Sequence, residues 1–148
     1  MSVQTGAIAP EFTLADHAGK MRTLSEFKGS YVVLYFYPKD DTPGCTKEAC
    51  MIRDSYDEFE HNGIVVLGVS KDSPQSHVKF REKYELPFIL LSDIDKSVID
   101  AYGADGVLFN KRITYVIDPN GVIAKIYPNV DPAGHAIELL NDIKNLSK

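Results

Sequence analysis

Two stretches of the chain are apolar at nearly every position, Tyr31 to Tyr37 (YVVLYFY) and Ile64 to Val69 (IVVLGV). Strands covered on both faces of a parallel sheet have this pattern, whereas a strand with one wet face alternates. Between the two runs the period changes. Cys45, Ala49, Ile52, Tyr56 and Phe59 recur at spacings of 4, 3, 4 and 3, one stripe of a helix turned toward a core. Asn62-Gly63 supplies its stop. A strand, helix, strand unit follows, with a right-handed crossover expected.

Further along, Pro74 to Tyr84 predicts a second helix, Phe88 to Leu91 a strand and Lys96 to Tyr102 a short helix. Arg112 to Ile117 and Val122 to Tyr127 flank Asp118-Pro119-Asn120-Gly121, whose Pro and Gly suit a tight turn, so the two form an antiparallel hairpin. Pro132 to Leu146 closes the chain as an amphipathic helix, and Phe12 to Phe27 opens it as a hairpin turning at His17-Ala18-Gly19-Lys20. The expected fold class is α/β: a mixed central sheet flanked by helices, with an N-terminal hairpin. Without a repeat, a low-complexity tract or a Gly/Ser linker, residues 1–148 are expected to form a single domain.

Composition narrows the partners. The formal net charge is -5 with Lys and Arg scattered, which speaks against nucleic acid or an anionic membrane surface. Met1 to Pro10 has neither a basic start nor an apolar run, and no apolar run approaches the roughly 18 residues of a spanning helix, so a cytoplasmic location is expected. His17, His61, His77 and His135 are dispersed, none at ligand spacing from a cysteine. The pairs Asp40-Asp41 and Asp93/Asp95 are of the kind that serve as solvated turns and caps. No metal and no cofactor is expected.

The chain has two cysteines, Cys45 and Cys50. Two thiols cannot build a disulfide framework, and in a reducing compartment such a pair is redox-active or inert. Cys45 follows the loop Pro38-Lys39-Asp40-Asp41-Thr42-Pro43-Gly44, beyond the carboxyl end of the first apolar strand and in the first turn of the helix. Ligands of open α/β sheets bind there, and the helix's free amides favour an anion, here the Cys45 thiolate. Pro43 suits a helix start, and Gly44 lets a ligand approach the backbone. A cysteine on an apolar stripe can also be a small core residue, and position alone leaves both readings of Cys45 open.

Pro38, Thr42 and Cys45 match the Pro-x-x-x-Thr-x-x-Cys signature of peroxiredoxins. The run YPKDDTPGCTKEAC resembles the bacterioferritin comigratory, or PrxQ, subgroup of that family. The similarity extends from Ala9-Pro10-Glu11-Phe12-Thr13-Leu14, through Gly68 to Asp72 and Arg112 to Asp118, to Gly134-His135-Ala136. One departure is Tyr115, where the family more often has Phe. The resemblance implies a thioredoxin-like fold and a thiol-dependent peroxidase acting on hydrogen peroxide and organic hydroperoxides. It makes Cys45 the peroxidatic cysteine, oxidised to a sulfenic acid, and Cys50 the resolving cysteine that closes a disulfide with it. It adds Thr42 and Arg112 to the catalytic set, and a monomer recycled by thioredoxin or a similar dithiol. Pro38 shapes the loop, and Tyr37 beside it is expected to line the substrate pocket with Gly44.

Thiolate formation alone explains little. A thiol of pKa about 8.5 is roughly 3% ionised at pH 7, and a pKa near 6 raises that roughly thirtyfold. The accompanying loss of nucleophilicity returns roughly tenfold of the gain. Donors aimed at the breaking O–O bond must supply the rest: the Thr42 hydroxyl, the Arg112 guanidinium and amides near Gly44 and Cys45. Blander roles exist beside these, a helix cap for Thr42 and a pairing of Arg112 with a surface carboxylate such as Glu48. Two other functions share the scaffold. A thioredoxin-type disulfide reductase needs a second cysteine where Glu48 stands, and a noncatalytic binding module has no need of Pro38, Thr42, Cys45 and Arg112 together. Finally, residues five apart on a helix lie with Cα atoms roughly 8.6 Å apart and side chains diverging, beyond the roughly 4.4–6.8 Å of a disulfide. The Cys45 to Cys50 bond implied by the resemblance therefore requires the helix to open.

Overall fold

A computed structural model of the chain describes residues 3–106 and 109–147. The expectation of one domain over residues 1–148 thus reaches five positions, 1, 2, 107, 108 and 148, that lie outside the described residues. Seven strands form one mixed sheet flanked by five α-helices among the described residues. In chain order these are β1 (Thr13–Asp16), β2 (Met21–Thr23), β3 (Tyr31–Phe36), α1 (Pro43–Asp54), α2 (Tyr56–His61), β4 (Ile64–Ser70) and α3 (Pro74–Tyr84). There follow β5 (Ile89–Ser92), α4 (Ser97–Tyr102), β6 (Ile113–Ile117), β7 (Ile123–Tyr127) and α5 (His135–Leu146). The strand order is β2-β1-β5-β4-β3-β6-β7. β3, β4 and β5 are parallel, and β1, β6 and β7 pair antiparallel with their neighbours.

The unbroken apolar runs follow from this order, because β3 and β4 sit at the centre with a core on each face. Val33, Tyr35 and Tyr37 point into one core with Cys45, Ala49 and Ile52 of α1, Phe59 of α2 and Leu139 and Ile143 of α5. Val32, Leu34 and Phe36 point into the other with Phe12, Leu24 and, from α4, Ile99 and Tyr102. Each such side chain, taken fully out of water, contributes about 1.5–3 kcal/mol. Among the described residues no helix is long and apolar enough to cross a membrane.

Several boundaries shift by a residue from expectation, and three differences stand out. The single helix expected from Cys45 to Phe59 begins at Pro43 and is interrupted at Ser55, whose backbone leaves the helical region at φ -107°, ψ 9°. The stripe survives the break because both pieces face the same core. The closing helix begins at His135 rather than Pro132, since an Asp131-based turn, with Ala133 and Gly134 donating to that residue, occupies the residues before it. The fifth strand runs one residue later than expected, Ile89 to Ser92.

Candidate functional site

The parallel strands β3, β4 and β5 end at one edge of the sheet, and the loop from β3 to α1 lies there. Thr42 is extended, at φ -104° and ψ 155°, and Pro43 opens α1 with the amide it lacks costing nothing. Cys45 is thereby held in the first turn, 2% exposed, with its sulfur at the edge of the core. Cys50 sits on the same helix, half-buried, and both are free thiols.

Arg112, just before β6, reaches across to this turn. Its Nη2 donates to Cys45 Sγ at 3.3 Å and its Nη1 to Glu48 Oε1 at 2.8 Å. One guanidinium thus meets both the cysteine and the glutamate. What the sequence did not suggest is that Glu48 is no surface carboxylate: its exposure is 0%. Burial pushes its pKa up to about 7, with Arg112 pulling the other way. Burial also opposes the Arg112 charge, but Glu48 and then Cys45 outweigh it and raise that pKa.

Gly44 has a second use beside ligand access. A Cβ there would stand 2.9 Å from Arg112 Nη2, so the missing side chain is the space through which the guanidinium reaches the sulfur. Gly44→Ala is therefore expected to leave the fold intact, since alanine in a helix is favoured by about 0.5–1 kcal/mol over glycine. It should nevertheless slow Cys45 oxidation by about tenfold or more by displacing Arg112. Stopped-flow oxidation beside a thermal melt checks both halves, and an unchanged rate sinks the steric reading.

The Thr42 hydroxyl makes no capping bond. It donates to Lys39 O at 2.8 Å, which leaves the oxygen able to accept. The donor role expected for this hydroxyl stands beside its bond to the Lys39 carbonyl in this structure. Pro38 is half-buried in the loop. Tyr37, expected to line the pocket, is 1% exposed, its hydroxyl donating to Asp40 Oδ1 at 2.5 Å and its carbonyl accepting from Asn110 Nδ2 at 3.0 Å. Its ring belongs to the core, and what it gives the loop is anchorage.

Nothing in the sequence pairs Asp40 with His77, which meet in the folded chain. The buried Asp40 carboxylate accepts from Tyr37 and from Ser76 Oγ at 2.8 Å, and meets His77 Nδ1 at 2.7 Å. Asp41, in the left-handed region at φ 57°, accepts from Lys83 and Tyr84. Two consecutive aspartates thus tie the loop to both ends of α3. The signal available in the sequence was a histidine on the apolar face of a predicted helix, which has no stated partner until the chain is folded. Among the described residues no group of three or more His, Cys, Asp and Glu is set to hold a metal.

The AhpC/TSA family profile matches residues 5–126. Peroxiredoxin bcp of Coxiella burnetii is 49% identical over 148 residues, covering 95% of this chain and 98% of that protein. Chloroplastic peroxiredoxin Q of Oryza sativa subsp. japonica is 48% identical, covering 97% of this chain and 68% of that protein. Among solved structures, a mutant of Xylella fastidiosa PrxQ superposes with a TM-score of 0.91 at 31% identity, covering 99% of this chain and 100% of that one. The Xanthomonas campestris bacterioferritin comigratory protein, described for its alkyl peroxide reduction activity, does so at 0.88 and 34%, covering 93% and 92%. With a thiol in a helix's first turn and an arginine on its sulfur, the chain belongs to the AhpC/TSA family and, within it, to the peroxiredoxin Q or bacterioferritin comigratory group, thiol-dependent peroxidases with a thioredoxin-like fold.

Proposed function

We propose that the chain, acting as a single domain and a monomer in the cytoplasm, reduces hydrogen peroxide and organic hydroperoxides with Cys45 as attacking thiolate and Cys50 as resolving thiol. One observation carries it: the Arg112 guanidinium donates at once to Cys45 Sγ and to the buried Glu48. A core cysteine has no use for a half-buried cation on its sulfur. The Cys45 sulfur attacks one peroxide oxygen; the S–O bond forms, the O–O bond breaks, and the departing oxyanion takes a proton. Arg112 and the amides at the start of α1 face the charge that develops, and Thr42 Oγ accepts from the peroxide hydroxyl. Cys50 then displaces water from the sulfenic acid, and a dithiol such as thioredoxin reduces the disulfide. Peroxide consumption with a thioredoxin reducing system tests this directly; insulin reduction without peroxide turnover, or no turnover, rejects it.

Both cysteines lie within α1, so the resolving step needs that helix to open. The interruption at Ser55 leaves α2 free to stay folded. Hydrogen exchange is therefore expected to accelerate over Thr42 to Arg53 on oxidation while Tyr56 to His61 keeps its protection. Unchanged protection in a fully disulfide-bonded sample overturns the step. Cys50→Ser should still be oxidised at Cys45 but lose efficient dithiol-linked cycling, and mass spectrometry after one peroxide equivalent should find sulfenic or over-oxidised Cys45.

A further inference from the structure

Arg112 is one cation between two groups that can each be an anion, Cys45 and Glu48. Glu48 has no exposure, and its second oxygen, Oε2, finds no hydrogen-bond partner among the described residues. The Tyr35 hydroxyl is buried and unpartnered as well, and after burial itself Glu48 and then Cys45 act on it most, raising its pKa. The titratable groups that act on this cluster come from several elements, Asp40 of the loop before α1 among them. β3 brings Tyr35, the segment before β6 brings Arg112, and its own helix brings Cys45. α5 presents Ala136, Leu139, Leu140 and Ile143 to the shared core, while its His135 turns to Thr114 and Glu138.

With Cys45 as thiolate and Glu48 as carboxylate, the site would hold two anions on one cation away from water, with one charged oxygen unpaired. Both features are costly, the unpaired oxygen alone by about 1–3 kcal/mol or more. A single proton on Oε2 removes both. Resting on the reading of Cys45 as the attacking thiolate, we propose that Glu48 is a proton store for the reaction, a carboxylic acid while Cys45 is a thiolate and a carboxylate once Cys45 is oxidised. Arg112 then faces one full negative charge in either state, on sulfur before the reaction and on Glu48 after it. Burial already brings Glu48 to about 7, so the acid form is within reach at neutral pH. Glu48 acts on the sulfur through Arg112 and is a positioning residue in that sense.

The step balances. Thiolate, hydroperoxide and Glu48 carboxylic acid give sulfenic acid, alcohol or water, and Glu48 carboxylate. Sulfur gains OH and is oxidised, the O–O bond is reduced, and the proton lost by Glu48 equals the one taken up by the departing oxyanion. Reduction of the disulfide returns a thiolate to Arg112 and a proton to Glu48.

The test uses the full chain carrying Cys50→Ser, so that oxidation stops at the sulfenic acid. Infrared difference spectra, with glutamate carboxyls labelled with carbon-13, are taken on adding one equivalent of hydrogen peroxide below pH about 7. One protonated carboxyl per oxidised Cys45 should be lost and one carboxylate gained, and this change should vanish in the same chain carrying Glu48→Gln. The Gln variant's oxidation rate should follow pH as a single ionisation where the parent shows two coupled ones. Mass spectrometry showing Cys45 oxidised in the parent with no change in carboxyl signal overturns the proton store and leaves the peroxidase reading standing. Cys45 left unoxidised overturns the peroxidase reading itself. Because the parent spectrum decides the outcome, a Gln variant that fails to fold does not protect the idea.

Discussion

Cys45→Ser is expected to lose all peroxide turnover and fall to the uncatalysed background. The substitution is close to isosteric, and Arg112 can donate to an oxygen as it does to sulfur, so folding stability should move by only about 1 kcal/mol. The chemistry, by contrast, disappears. A serine hydroxyl near neutral pH offers almost no anion, and no other nucleophile in the described residues sits under Arg112. Peroxide consumption beside a thermal melt is the measurement. Wild-type-like steady-state turnover in a folded Cys45→Ser sample would show that the reaction runs elsewhere. Cys50→Ser makes the contrast, since it keeps one oxidation per chain and loses the cycle.

The fold was legible wherever period and burial coincide. β3 and β4 could be read because the strands at the middle of the sheet are covered on both faces, and the stripe from Cys45 to Phe59 because a helix over a core repeats its apolar positions. The interruption at Ser55 was not legible, since both pieces keep one apolar face and the stripe runs across it. In the site, Cys45 announced itself by its place in the first turn after a strand. Arg112 came only with the resemblance, because its partners lie 64 and 67 positions away along the chain. Burial of Glu48 runs against the habit of glutamate, which is almost never fully buried unless paired, and its pair is that same distant arginine. Asp40 with His77 and Thr42 with Lys39 failed for a related reason: the types were visible, but hydrogen-bond direction belongs to the folded loop.

Arg112→Ala is expected to slow Cys45 oxidation by about 10²–10³-fold, the usual cost of losing a donor aimed at developing charge. The fall should persist at a pH high enough to ionise the thiol, because the guanidinium faces the transition state as well as the resting sulfur. Stopped-flow oxidation restored to near wild type at high pH would reduce Arg112 to a group that only ionises Cys45. Arg112→Lys should recover little, since one ammonium lacks the planar fork that reaches Sγ and Glu48 Oε1 together. Stability carries an independent signature. In the wild type, burial raises Glu48 from 4.5 to about 7, so the folded state binds the proton more tightly than the unfolded one. That contribution is complete below about pH 4.5 and is lost as pH rises through about 7, by about 3 kcal/mol. Arg112 is what keeps Glu48 from rising further, and without it an ionised Glu48 would be a buried charge with no partner. Denaturant unfolding at about pH 5 and about pH 8 should therefore show the variant close to wild type at the lower pH and losing more stability than wild type at the higher one. A smaller loss in the variant than in wild type would mean that Glu48 reaches water when Arg112 is gone, and equal losses would mean that the ion pair does not govern its protonation.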